Sequence, residues 1–253
     1  MKHKRLFILV VLMSFISISI FFIYDNTYKE EFNYVVLGDS VAAGRNPYGV
    51  EDYGYAEYVR DYLKGKDKLN SYVSYAVSGY LTSNVIDDIN YNRTVEVNDN
   101  EVGLKKALRE SDLVTISIGA NDLLKGMNLS SIPSTLADRN VTNKQIDSTI
   151  DEIKELLRLI KQYAKGDIIV VGYYNPLPSL AKYKSKIDAV VEYADKEYES
   201  LCNSMGIHYV RVSDVISRNS DYLPNPLDIH PSIKGYEAIS KEIIETIENK
   251  VLK

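Results

Sequence analysis

"NYVVLGDSVAAG", Asn33 to Gly44, is the stretch on which the reading of this chain turns. Tyr34 to Leu37 form a short run of aromatic, aliphatic and β-branched residues, the pattern of a strand buried on both faces. The run stops at Gly38-Asp39-Ser40, and small residues that suit a helix start follow. Asp and Ser cap many strand-to-helix turns for purely local reasons, so these three residues alone assign no chemistry. A serine placed there also sits where backbone N–H groups can face a developing negative charge.

Working outward, four more runs have the same character: Tyr72–Val77, Leu113–Ile118, Ile168–Tyr173 and Ile207–Val212. Helical periods lie between them. From Thr142 to Lys165, Ile146, Ile150, Ile153, Leu157, Ile160 and Ala164 share one helix face, with Thr142 and Gln145 reading as a capping box and Gly166 as a stop. Ser185 to Met205 carries Ile187, Val190, Val191, Ala194, Tyr198 and Leu201 on one stripe. A last helix follows Pro231, with Ile239, Ile243 and Ile247 aligned, and Tyr55–Leu63 and Val102–Leu108 are shorter candidates. Tyr91–Asn100 is polar and reads as a loop. Alternating strands and helices predict an α/β fold with a five-stranded parallel sheet and helices on both faces. In such sheets ligands bind beyond the carboxyl ends of the strands.

The first 24 residues differ from the rest. Lys2, Lys4 and Arg5 precede an uncharged stretch from Leu6 to Tyr24 that contains neither Gly nor Pro. As a helix it would be about 28 Å long, close to the ~30 Å hydrocarbon core of a bilayer. It lacks a small-x-small cleavage site before Asp25, so the expectation is an uncleaved anchor over residues 1–24, a linker over 25–33 and a folded domain over 34–253. The basic residues would stay cytoplasmic and the domain would face outward; cleavage as a signal peptide would instead release it. Cys202 is the only cysteine, so no internal disulfide staples the domain. The net charge is -5, and without the three basic residues near the N-terminus it falls to -8. An acidic domain offers no basic face for phosphates, which excludes nucleic acid as a partner.

A serine nucleophile needs a base. His3 precedes the apolar stretch, and His208 lies in "IHYVRV", where alternation marks a sheet residue. His230 lies in the Pro-bounded segment "NPLDIHPSIKGY", with Asp228 two residues before it. Gly79, after the second strand, offers an unobstructed N–H, and Asn121, after the third, offers a carboxamide donor. Each also has a structural reading as an ordinary turn residue. No G-x-S-x-G elbow, phosphate-binding P-loop or H-E-x-x-H pair is present.

Gly38-Asp39-Ser40, Gly79, Gly119-Ala120-Asn121-Asp122 and Asp228-Ile229-His230-Pro231, in that order, resemble the blocks of the SGNH hydrolases, or GDSL lipase/esterase family. The resemblance spans Tyr34 to the final helix. It implies a flavodoxin-like three-layer fold and an esterase or acylhydrolase with Ser40 as nucleophile, His230 as base and Asp228 as its acid. The N–H groups of Ser40 and Gly79 and the side chain of Asn121 would form the oxyanion hole. Neither an organic cofactor nor a metal is implied. Lipids, acetylated glycans and acyl thioesters all suit the family as substrates. One departure stands out: the family acid usually precedes its histidine by three positions, and here that position is Leu227. A backbone carbonyl could then orient His230 instead, or the fold could be a surface module that binds acylated glycan without turnover. Asp39 and Asp122 are expected to brace the loops that carry Ser40 and Asn121. The tyrosines of "RNPYGVEDYGYAEY" suit either pocket lining or packing of the first helix.

Overall fold

The computed structural model describes residues 31–125, 139–177 and 181–252. The apolar stretch Leu6–Tyr24 lies outside them; among the described residues no helix is long and apolar enough to cross a membrane. Phe32 to Lys253 form one compact unit.

Five parallel strands make the main sheet: β1 (Phe32–Gly38), β2 (Leu69–Ser74), β5 (Leu113–Ser117), β6 (Asp167–Val171) and β7 (His208–Val210), in the order β2-β1-β5-β6-β7. Counting only these five strands, the order is 2-1-3-4-5, the flavodoxin-like arrangement, with its switch point between β1 and β5. Register places Val36 beside Ser74 on one side and Thr115 on the other. The second strand begins at Leu69, earlier than the expected Tyr72. Tyr75 and Val77 beyond it still donate to Val36 O and Gly38 O.

Strand alternation sends successive residues to opposite faces. Val35, Leu37, Val114, Ile116, Ile168 and Val170 join one core, packed by α2 (Thr82–Asn90), α3 (Leu104–Glu110), α5 (Arg139–Tyr163) and α6 (Lys184–Met205). Tyr34, Val36, Leu113, Ile169, Val171 and Val210 join the other, packed by α1 (Tyr55–Gly65) and α8 (Ile233–Thr246). The described residues also include two short helices, α4 (Ala120–Lys125) and α7 (Ser213–Ser217). Burying an Ile or Leu side chain is worth about 1.5–3 kcal/mol, so the sheet is held mainly by these two layers. Tyr55 is buried in the second core and Tyr58 packs against it, so these two tyrosines after the nucleophile turn pack the first helix. Cys202 is buried in the first core, where desolvation pushes its thiol up to about 12.

Three expectations need correction. Tyr91–Asn100 is not a plain loop: β3 (Thr94–Val97) and β4 (Asn100–Gly103) form an antiparallel hairpin. Its two-residue turn, Asn98-Asp99, has φ of 49° and 63°, the left-handed geometry that Asn and Asp tolerate. Val102 therefore pairs with Val95 in the hairpin instead of opening a helix, and α3 starts at Leu104. The Thr142/Gln145 capping box also fails. The helix begins earlier, at Arg139, Thr142 is buried within it, and Gln145 Nε2 donates to Leu123 O.

Candidate active site

Gly38 makes the end of β1 possible. Its φ is +127°, and a Cβ there would lie 2.0 Å from Ser117 O, so only glycine lets β1 close against β5 at this point. Asp39 N then donates to Ser117 O at 2.9 Å. The Asp39 carboxylate turns inward, accepting from Val41 N at 3.0 Å and from Ser117 Oγ at 3.4 Å. It is buried, and desolvation pushes its carboxyl up to about 7. These bonds brace the turn that carries Ser40, as expected of Asp39.

Ser40 and His230 are both buried, and His230 Nε2 lies 2.8 Å from Ser40 Oγ. On the other side of the ring, Nδ1 lies 2.7 Å from Asp228 Oδ1. The same oxygen accepts the backbone N–H of His230 at 2.8 Å. That is an Asx turn, and it explains how an aspartate two positions before the histidine reaches the imidazole. Both N–H groups of one residue converge on one carboxylate oxygen. Leu227, at the position the family pattern gives to the acid, is 93% exposed. A carboxylate oxygen at this position can accept from an Nδ1–H, and in that tautomer Nε2 would present its lone pair to the Ser40 hydroxyl. The backbone carbonyl alternative is not what the geometry shows at Nδ1.

The loop bearing His230 and the helix α8 that follows it are tied to the rest of the site by three bonds that the sequence did not signal. Tyr174 OH donates to Ile229 O at 2.9 Å, Asn225 Nδ2 to Pro47 O at 2.7 Å, and Tyr236 OH to Arg45 O at 2.6 Å.

Asn121 lies in the first turn of α4, and its Nδ2 donates to Tyr80 O at 2.9 Å. A carboxamide nitrogen has two hydrogens, so this bond fixes the amide and leaves one donor to aim elsewhere. Tyr80 follows Gly79, whose φ is +86° and whose missing Cβ would stand in open space. Among the described residues neither the Ser40 nor the Gly79 N–H has a backbone acceptor. Asp122 braces this side as expected: its carboxylate accepts Thr82 N at 3.1 Å and Thr82 Oγ1 at 3.0 Å. A negative group at the start of α2 also suits the helix dipole.

His208 opens β7, as the alternation indicated, and its Nε2 lies 2.9 Å from Asp167 Oδ1. Among the described residues no group of three or more His, Cys, Asp or Glu is placed to hold a metal ion.

Ser40 and Asn121 share a cavity of about 130 Å³, which also takes in Asp39, Ser117 and Tyr174. Much of its wall comes from Ile187, Val190, Val191 and Ala194 of α6. Sequence reasoning missed these as site residues, because an aliphatic stripe on a helix reads the same whether it faces a core or a cavity.

The GDSL-like Lipase/Acylhydrolase family matches residues 36–238. The chain is 24% identical over 233 residues to an uncharacterised protein, YpmR, of Bacillus subtilis, covering 88% of this chain and 84% of that one. It is 24% identical over 225 residues to the spore germination lipase LipC of Bacillus licheniformis, covering 83% of this chain and 93% of that one. Among solved structures, it is similar to the lipase Lip_vut3 from a goat rumen metagenome. The TM-score is 0.67 and the identity 20%, over 86% of this chain and 98% of that one. A match spanning most of the chain, with the order of its blocks preserved, shows that this chain belongs to the GDSL-like lipase/acylhydrolase family.

Proposed function

We propose that the chain is a serine esterase that cleaves carboxylic esters through an acyl-enzyme, in a domain held outside the cytoplasmic membrane by residues 1–24. The observation that carries the chemistry is the unbroken line Ser40 Oγ, His230 Nε2, His230 Nδ1, Asp228 Oδ1, with spacings of 2.8 and 2.7 Å. Ser40 Oγ attacks the ester carbonyl while His230 Nε2 takes its proton. Asp228 holds Nδ1–H and stabilises the imidazolium. The N–H groups of Ser40 and Gly79 and Nδ2 of Asn121 hold the oxyanion; one such donor is worth about 2.7–4 kcal/mol in the transition state. His230 then protonates the departing alcohol oxygen, leaving the acyl group on Ser40. Water, deprotonated by His230, attacks this second ester. The carboxylic acid leaves and Ser40 regains its proton.

The rival reading, a surface module that binds without turnover, rested on Leu227 standing where an acid was expected. Asp228 Oδ1, at 2.7 Å from Nδ1, supplies the acceptor that reading assumed missing. The outward location rests on the charge asymmetry around Leu6–Tyr24 alone; an intact mass lacking the first ~25 residues would replace the anchor with a cleaved signal peptide. The decisive experiment is labelling by a fluorophosphonate probe, wild type beside Ser40→Ala, with the adduct mapped by mass spectrometry. An adduct on Ser40 that vanishes in the variant is the expected result. A folded wild type that stays unlabelled would refute the esterase.

A further inference from the structure

The cavity at Ser40 has two chemically different ends. Asp39, Ser40, Ser117 and Asn121 make the polar end. Beyond them Leu123 and Leu124 of α4 stand on one wall, and Ile187, Val190, Val191 and Ala194 of α6 on another. The α6 stripe is divided in two. Its C-terminal half, Tyr198, Leu201 and Cys202, packs into the core, while its N-terminal half lines the cavity. The spacing i, i+3, i+4, i+7 puts those four aliphatic side chains on one helix face. Ile187 and Ala194 are buried; Val190 and Val191 are half-buried.

Which part of an ester this space takes follows from where the oxyanion and the leaving group go. His230 must reach the leaving oxygen to protonate it, so the alcohol lies on the His230 side of Ser40. Ala120 and Asn121, on the oxyanion side, line the cavity; of the His230 loop Ile229 reaches the lining, while the His230 ring does not. The acyl group therefore points into the apolar end. At about 130 Å³ the space is close to the ~150 Å³ apolar cavity that holds a benzene ring, enough for a tail of roughly five or six carbons. An acetyl group would bring a single methyl to it.

We infer that this cavity receives the acyl chain, and that the chain acts on esters of medium-length fatty acids, about four to eight carbons, in preference to acetyl esters. The inference rests on the esterase reading of Ser40. A buried methylene is worth about fourfold in kcat/KM, so hexanoyl esters should exceed acetyl esters by on the order of 10².

The test is kcat/KM of the full-length chain on p-nitrophenyl esters from acetyl to lauroyl, kept below micelle formation, with fluorophosphonate labelling of Ser40 in parallel. The expected profile climbs to about six carbons and falls beyond about eight. Val190→Phe and, separately, Val191→Phe should lower the hexanoyl-to-acetyl ratio about tenfold or more. Ala194→Leu narrows the same wall if either fails to fold by circular dichroism. A second series, acetate esters of lengthening alcohols, separates the two halves of the substrate. A steep rise there, with a flat acyl series, would put the alcohol in the cavity and overturn the inference. A flat or acetyl-preferring profile with Ser40 still labelled overturns it too, and leaves the esterase standing. Absence of labelling at Ser40 defeats the esterase reading and this inference together.

Discussion

Among the described residues two His–Asp pairs have similar spacing. His208 Nε2 lies 2.9 Å from Asp167 Oδ1, and His230 Nδ1 lies 2.7 Å from Asp228 Oδ1. The first joins the opening residues of β7 and β6, at the amino ends of the strands. The second stands beyond the carboxyl ends, near the switch point between β1 and β5, with Ser40 on the ring's other nitrogen. The local chemistry of the pairs is alike, so the pair itself carries no function. Place in the sheet and a third partner make the difference.

The comparison is sharpest under histidine replacement. His230→Ala should lower kcat by on the order of 10⁴ or more, while His208→Ala should leave it within about twofold; equal losses in the two variants would break the distinction. Replacing the acids comes next. Asp228→Asn frees the ring to take the wrong tautomer and should lower kcat by on the order of 10³, with Asp167→Asn again near wild type. Both are read in steady-state assays on one ester. Asn121→Ala extends the comparison to the oxyanion side, with a kcat loss on the order of 10²–10³ and a much smaller change in KM.

Asp39 gives a stability effect in place of a kinetic one. Burial raises its carboxyl from 3.8 to about 7 in the folded protein. Between those values the folded state holds a proton that the unfolded chain has released, so stability falls as pH rises through this window. The contribution is fully present below about pH 4 and gone above about pH 7. Asn cannot titrate. The Tm of wild type minus that of Asp39→Asn should therefore decline from pH 4 to pH 8 in thermal melts, and a constant difference would contradict the assignment. The smallest effect belongs to the pair at the amino ends: losing the partly exposed His208–Asp167 bond should cost about 1 kcal/mol or less in denaturant unfolding.

Much of this was legible in the amino-acid order because burial on both faces writes continuous apolar runs. Val35 to Leu37 and Ile168 to Val171 carry no polar interruption, and their strands were found within a few residues. The hairpin Thr94–Gly103 was missed for the opposite reason. Its outer residues, Thr94, Glu96, Asn100 and Glu101, are exposed and polar. Yet Val95 and Val97 alternate before Asn98-Asp99, which was signal enough. Ser40, Asn121 and His230 were legible because glycine, proline and strand ends mark their loops. Asp228 was legible as a candidate, but how it reaches the imidazole was not, since that depends on a turn in which one carboxylate oxygen serves two N–H groups. Nor was the bond from Tyr174 to Ile229 O, which links residues 55 positions apart.

The deep burial of Cys202 has a practical corollary. Reagents such as maleimides consume thiolate, and a thiol held up near 12 inside the core presents almost none at neutral pH. As the chain has no second cysteine, a dye can be attached at one chosen place without first stripping out the natural one. Leu227→Cys would put such a reporter on an exposed position three residues from His230, where its fluorescence would follow the entry of an ester in real time.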